Sequence, residues 1–277
     1  MIRQEGILII PLFEGEIMID ILINEIENSQ LDLSLVIKDL TQNKWLLKYN
    51  EREIYPSASL IKVPIMVEAL YQVEKGYYSL DEKIKISPED RIKYSIVSDL
   101  TIDEYPFIDL ISLMIIVSDN TATNVLIDLL GLNNINERLR DLNCKDTILQ
   151  RKMLDFEKAK KGMDNLTSPM DMAWIFEAIY KKSILKPKSC ELMIDILTKQ
   201  KYRDKLGRYL SEDIPIAHKT GSLTAINHDI GIFFLDKVHY LIGIFTKNDK
   251  DNIGNQTIGR ISKLVYDSFI KSENTMR

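Results

Sequence analysis

The sequence predicts an α/β fold of the α+β kind: an antiparallel sheet flanked by N- and C-terminal helices, with an all-helical domain inserted into it. Two observations carry this expectation. Strand-like apolar runs occur only toward the two ends of the 277 residues, at Leu33 to Tyr49 and again at Ile216 to Phe245. Between them, from Ser59 to about Ile184, apolar residues recur at helical spacing with polar loops. Strands hydrogen-bond only side by side, so the two ends must meet. The expected division is a discontinuous α/β domain over residues 18–54 plus 190–277 and an all-helical domain over 55–189. The cleft between them is a natural ligand site.

Each element has its own signal. Ile19, Ile21, Leu22, Ile23 and Ile26 lie at roughly helical spacing and predict a helix over 18–28. Leu33 to Leu40 and Trp45 to Tyr49, separated by Thr41-Gln42-Asn43-Lys44, predict a β-hairpin. Helices are expected at Val63 to Val73, Ile108 to Val117, Thr121 to Leu130 and Pro169 to Tyr180, with another after Pro187. Strands follow at Ile216 to Thr220, Ile230 to Leu235 and Tyr240 to Phe245, with Asp236-Lys237 as a tight turn. Ile258, Ile261, Leu264, Val265 and Phe269 mark one face of a last amphipathic helix, over about 258–270.

Composition narrows the function. Thirty-six basic against 41 acidic residues give a formal charge of −5, without a basic run, which argues against nucleic acid and for a small-molecule or peptide ligand. Cys144 and Cys190 are too few for a disulfide framework and read as buried thiols or a single bridge. His218, His228 and His239 lack metal-ligand spacing, so no metal and no cofactor are expected. No run approaches the roughly 20 apolar residues that span a bilayer. Ile7-Leu8-Ile9-Ile10 with Leu12 and Phe13 has the look of a short export signal, but Pro11 interrupts it and Glu14 and Glu16 follow. The other reading makes residues 1–17 a leader ahead of Met18, and the chain as given reads cytoplasmic.

Three short motifs carry chemistry. Ser59-Leu60-Ile61-Lys62 follows a non-helical approach, Tyr55-Pro56-Ser57-Ala58, and precedes a helix, where serine is favoured as N-cap. Residues i and i+3 share a helix face, so the Lys62 amine can reach the Ser59 hydroxyl and serve as its base once burial lowers its pKa. The same four-residue pattern recurs at Ser183 to Lys186 and Ser268 to Lys271, without these surroundings. Ser118-Asp119-Asn120 lies between two helices, and capping alone would account for it. Lys219-Thr220-Gly221-Ser222 lies in an apolar strand, where an ordinary strand end is the plainer reading.

All three in this order resemble the class A β-lactamases and penicillin-binding proteins. Thr121-Ala122-Thr123-Asn124, the hairpin before Ser59 and Leu166-Thr167-Ser168-Pro169 extend the likeness over most of residues 20–270. The resemblance implies Ser59 as nucleophile, Lys62 as proton acceptor and Ser118 as proton carrier to the leaving nitrogen. It implies that Asn120 holds the substrate amide and Lys62, that Asp119 supports the turn, and that Lys219 and Thr220 meet a substrate carboxylate. Gly221 would let substrate lie on the strand, and the Ser59 and Ser222 amides would form the oxyanion hole. The expected partner is a β-lactam or a peptidoglycan-like peptide, the expected state a monomer, and the implied location secreted or periplasmic.

Two departures stand out. The family's Arg-x-Glu-x-x-x-Asn loop, aligned on Arg151, puts Met153 at the glutamate that activates the deacylating water and Glu157 at the asparagine. Glu157 is the candidate substitute for deacylation, or a solvated loop carboxylate. Arg151 is expected to clamp the loop against Asp164 or Asn165. Where many members carry a carboxylate-binding arginine after the Lys-Thr-Gly strand, this chain has Asn227 and His228. The expectation is a β-lactamase-like serine hydrolase with doubtful deacylation. The alternatives are a D-alanyl-peptidase or esterase of the same fold, and a sensor that stays acylated.

Overall fold

The computed structural model describes the backbone of residues 3–4, 7–9, 15–250 and 252–275, and side chains over 20–250 and 252–272. In chain order the elements are β1 (Arg3–Gln4), β2 (Ile7–Ile9), α1 (Gly15–Ser29), β3 (Asp32–Asp39), β4 (Lys44–Tyr49) and β5 (Tyr55–Pro56). A 3₁₀ turn (Ala58–Ile61) leads into α2 (Lys62–Glu74), followed by β6 (Lys83–Lys85), α3 (Ile96–Asp99), β7 (Glu104–Pro106), α4 (Phe107–Ile116), α5 (Asn120–Leu130) and α6 (Leu132–Asp141). Then come α7 (Phe156–Lys160), β8 (Leu166–Thr167), α8 (Pro169–Tyr180), α9 (Pro187–Thr198), β9 (Ile216–Leu223), β10 (Ile226–Phe234), β11 (His239–Lys247) and α10 (Gly254–Thr275).

The two ends of the chain do meet. The main sheet runs β1-β2-β4-β3-β11-β10-β9, and β3 pairs antiparallel with β11, Ile37 opposite Ile242. Alternation along these strands builds two apolar faces. Leu33, Leu35, Ile37, Ile242 and Ile244 pack with Leu22 and Ile26 of α1 and with Ile258, Ile261 and Val265 of α10. Val36, Ile230, Ile232, Leu241 and Phe245 join the opposite core, which is continuous with α2, α4, α5 and α8. Each such buried side chain contributes about 2 kcal/mol. One core therefore links the sheet's inner face to the helices, and β9 ends the sheet beside them.

The middle of the chain departs from the all-helical expectation. Two small sheets, β5 with β8 and β6 with β7, tie the ends of loops together where backbone groups need partners. The last helix begins four residues before its apolar pattern because buried Asp249 accepts the Ile253 and Gly254 backbone N–H groups, each at 2.9 Å. Within the stretch read as a signal or leader, Ile7–Ile9 forms a strand along β4, while residues 10–14 lie outside the described residues.

Gly231 sits opposite His218 across β10 and β9, and a Cβ there would lie 2.4 Å from the His218 Cβ and 2.8 Å from the Ala217 carbonyl oxygen. Gly231→Ala is expected to destabilise the protein by about 3 kcal/mol, read from its denaturant midpoint. A midpoint equal to wild type would refute this account of the β9–β10 pairing.

Candidate active site

Ser59 does not cap a helix. It lies inside the 3₁₀ turn, and the N-cap of α2 is Ile61, which makes no side-chain cap. The expected capping role thus falls away and leaves the hydroxyl free for chemistry. The turn is held from outside: the Ser57 N–H donates to the Asn165 carbonyl at 2.7 Å, and Ala58 adopts φ 46°. Gly221 of β9 lies directly against it. A Cβ on Gly221 would stand 3.2 Å from the Ala58 Cβ and 3.3 Å from the Ser57 carbonyl oxygen, so what this glycine accommodates is the turn that carries Ser59. Ser59 opens into a cleft of about 230 Å³ shared with Ser118, Tyr202, Asp204, Lys205, Thr220 and Ser222.

Lys62 is fully buried, and its amine is aimed across the helices instead of at Ser59. Nζ donates to the Ser118 carbonyl at 2.6 Å and Asn120 Oδ1 at 2.8 Å, and lies 3.0 Å from Ser118 Oγ. Burial first, then the neighbouring Lys219 charge, hold its pKa well below the usual lysine range, with Asp119 opposing. Two of these partners can only accept, while the Ser118 hydroxyl can accept from the amine or donate to it. Ser118 is itself in the left-handed region, φ 56°, a strained backbone of the kind found at working sites. Asp119 secures that turn by accepting from the Ala122 N–H at 2.8 Å, Ser95 Oγ at 2.7 Å and the Val97 N–H at 3.1 Å.

Lys219, buried in β9, donates to the other side of the same hydroxyl, Ser118 Oγ, at 3.2 Å and to the Thr220 carbonyl at 2.9 Å. Burial lowers its pKa to about 7; Asp229 resists this and Lys205 adds to it. Ser118 Oγ thus bridges two amines, one from each of the other motifs. The Ser59 and Ser118 hydroxyls at the cleft, with the buried Lys62 and Lys219 amines behind Ser118, are groups that acyl transfer can use.

The loop after these helices closes as expected. Arg151 Nε donates to Asp164 Oδ1 at 2.7 Å, and its backbone exchanges hydrogen bonds with the Asn165 side chain at 3.0 Å in both directions. Asn124 grips the Met153 backbone, accepting from its N–H at 2.7 Å and donating to its carbonyl at 3.2 Å. Asn120 and Asn124 are one turn apart on α5, so the residue that grips Met153 lies about 6 Å along the axis from the residue that binds Lys62. Its side chain is buried in the core. Glu157 requires a correction. It projects from α7 into solvent, 75% exposed, and pairs with Lys160 at 2.8 Å. The helical turn that would bring it beneath Met153 does not form, because Leu154 takes φ 64° and α7 starts only at Phe156.

Asn227 and His228 face elsewhere too. Asn227 donates to Asp249 at 3.0 Å, while buried His228 donates Nε2–H to the Pro56 carbonyl at 3.0 Å, and burial lowers its pKa to about 4. Sequence reading passed over Lys205, a lining residue of the cleft, because a lone lysine in a loop carries no pattern. Both cysteines are free and buried, and burial pushes Cys144 up to about 12.

A model of the beta-lactamase enzyme family matches residues 19–269. The chain is similar to the beta-lactamase BRO-1 of Moraxella catarrhalis, 28% identical over 257 residues that cover 86% of this chain and 79% of that protein. Its structure is similar to that of a beta-lactamase from Sphaerobacter thermophilus, with 28% identity, a TM-score of 0.81 and coverage of 94% and 98% of the two chains. It is also similar to PBP-A, with 26% identity, a TM-score of 0.83 and coverage of 95% and 98%. A mutant of PBP-A is known as an acyl-enzyme with penicillin G.

The Lys219 amine is expected to titrate near pH 7, protonated below and neutral above, against about 10.4 for an ordinary lysine. Asp229→Asn removes the carboxylate that favours the charge and is expected to lower the midpoint further. Lysine-selective NMR across pH reads both, and a Lys219 midpoint near 10 would refute the electrostatics described.

Proposed function

Because the chain belongs to the beta-lactamase enzyme family and is a class A β-lactamase-like serine hydrolase, we propose that Ser59 is its nucleophile and that the acyl-enzyme it forms is long-lived. The substrates in this reading are β-lactams and acyl-D-Ala-like peptides. The observation that carries the long lifetime is Met153: a thioether, clamped by Asn124, where the family's water-activating carboxylate would be.

Acylation begins with the Lys62 amine turning from the Ser118 hydroxyl to that of Ser59. The Ser59 proton passes to the neutral Lys62 amine as Oγ attacks the carbonyl carbon, and the oxygen that becomes negative is met by the Ser59 and Ser222 amides. As the tetrahedral species collapses, the Ser118 hydroxyl gives its proton to the departing nitrogen, and the Lys62 ammonium returns one to Ser118 over the 3.0 Å contact. The proton taken from Ser59 thus ends on the leaving group. Lys219 keeps positive potential on Ser118 and, with Thr220, receives the substrate carboxylate, while Asn120 holds the substrate amide. Deacylation needs a base for water. A thioether cannot act as one, and Glu157 is turned away, so turnover falls to slow attack by water assisted by Lys62 or Ser118.

The similarity to PBP-A, whose mutant carries penicillin G as an acyl-enzyme, supports covalent capture of a β-lactam here. It also gives weight to a peptidase or a sensor as the cellular role, since both tolerate a slow second step.

Intact-mass measurement with a penicillin is expected to show one adduct per chain, absent from Ser59→Ala. Labelling that survives that change would overturn the assignment. Met153→Glu puts a carboxylate on the clamped backbone and is expected to shorten the acyl-enzyme lifetime by about 10²-fold, the lower range for a positioned general base. An adduct of unchanged lifetime in a folded Met153→Glu protein would sink the account of deacylation, as would rapid turnover by the wild type.

A further inference from the structure

Behind β9 lies a buried polar pair that lines no part of the cleft. His218 precedes Lys219 on the strand, so its side chain leaves by the opposite face, where it is fully buried. Its Nδ1 stands 2.9 and 3.1 Å from the two carboxylate oxygens of Asp229, itself fully buried on β10. The other ring nitrogen, Nε2, is buried and meets no hydrogen-bond partner among the described residues. The imidazole therefore takes its orientation from Asp229, and Nδ1 is the nitrogen that donates.

Asp229 depends on the imidazole in turn. No lysine or arginine pairs with it among the described residues, and its hydrogen-bond donors there are His218 and the Leu206 N–H, the latter at 3.0 Å. A carboxylate without solvent, held by so few donors, keeps its charge only while both are in place. Two features of the cleft rest on that charge. Burial and Lys205 both disfavour a charged Lys219 amine, and Asp229 is the group that opposes them. The same carboxylate holds the Leu206 amide, next in the chain to Lys205, which lines the cleft.

We propose that His218 is a positioning residue for the acylation site, fixing the Asp229 carboxylate where it supports both the Lys219 amine of the strand and the backbone of the cleft loop. Its bearing on acylation rests on the reading of Ser59 as nucleophile. Without the imidazole N–H, the buried carboxylate is left with the Leu206 amide alone and takes up a proton, and Lys219 loses the charge that opposed its neutralisation.

The test uses the purified full chain. His218→Leu is expected to lower the Lys219 midpoint by about one pH unit, read by lysine-selective NMR. Acylation by a penicillin, followed by intact mass, is then expected to fall about tenfold at about pH 8, where the charged fraction of Lys219 falls by that factor, and to change little at about pH 5. His218→Asn, whose Nδ2–H can stand in for the Nδ1–H, is expected to restore both readings. An unchanged midpoint in His218→Leu, or an equal fall in acylation at both pH values, would overturn the assignment. Histidine-selective NMR of the wild type tests it without a variant: a proton on Nδ1 supports it, and a proton on Nε2 alone overturns it. The NMR readings need no substrate, so their failure is distinct from that of the Ser59 reading, which falls if the wild type takes up no penicillin.

Discussion

Burying the Lys62 amine is the constraint around which the site is arranged. A lysine without solvent is tolerated only if its donors are met, and here they are met by a carbonyl and an amide oxygen from the turn between α4 and α5. That demand accounts for the left-handed Ser118, since a helical residue there would not present its carbonyl and hydroxyl to the same amine. It accounts also for Asp119, whose carboxylate ties the strained turn to Ser95, Val97 and Ala122 at once. The result is an amine whose charged form is disfavoured by burial, placed by α2, whose residues from Lys62 to Leu70 are all buried.

The sheet edge supplies the other half. β9 packs closely on the turn that carries Ser59, where a Cβ at position 221 would be crowded, and that approach brings Lys219 to the far side of the Ser118 hydroxyl. Two amines flanking one hydroxyl disfavour each other's protonation, so their titrations are linked through the few ångströms between them. Behind the strand, Asp229 supports the Lys219 charge and anchors the Leu206 amide, coupling the charge of the strand to the placement of Lys205.

The loop from Arg151 to Asn165 separates scaffold from chemistry. Its neck clamp and its Asn124 grip fix the backbone at Met153, while the side chain at that point is apolar and buried. In the proposed reading, the position from which a carboxylate would serve the acyl-enzyme is fixed but carries a thioether.

Much of this was legible from residue order. Periodicities of 2 and 3.6 placed the main strands and helices, because burial on one face imposes them, and the three motifs offered Ser59, Lys62, Ser118, Asn120 and Lys219 as candidates, because their spacing is local. The small sheets and the first turn of α10 leave no apolar pattern in the sequence, whereas α6 was passed over although Leu132, Ile135 and Leu139 lie at helical spacing. What only the tertiary structure decided was direction: that Ser59 is free of capping, that Lys62 points to Ser118, that Glu157 faces solvent, that His228 is spent on Pro56 and that Lys205 enters the cleft. Sequence determines which chemical groups the chain owns and how neighbours on one element are spaced. Whether groups separated by a hundred residues meet depends on φ at single positions and on which strand ends lie together, and those are settled when the core closes.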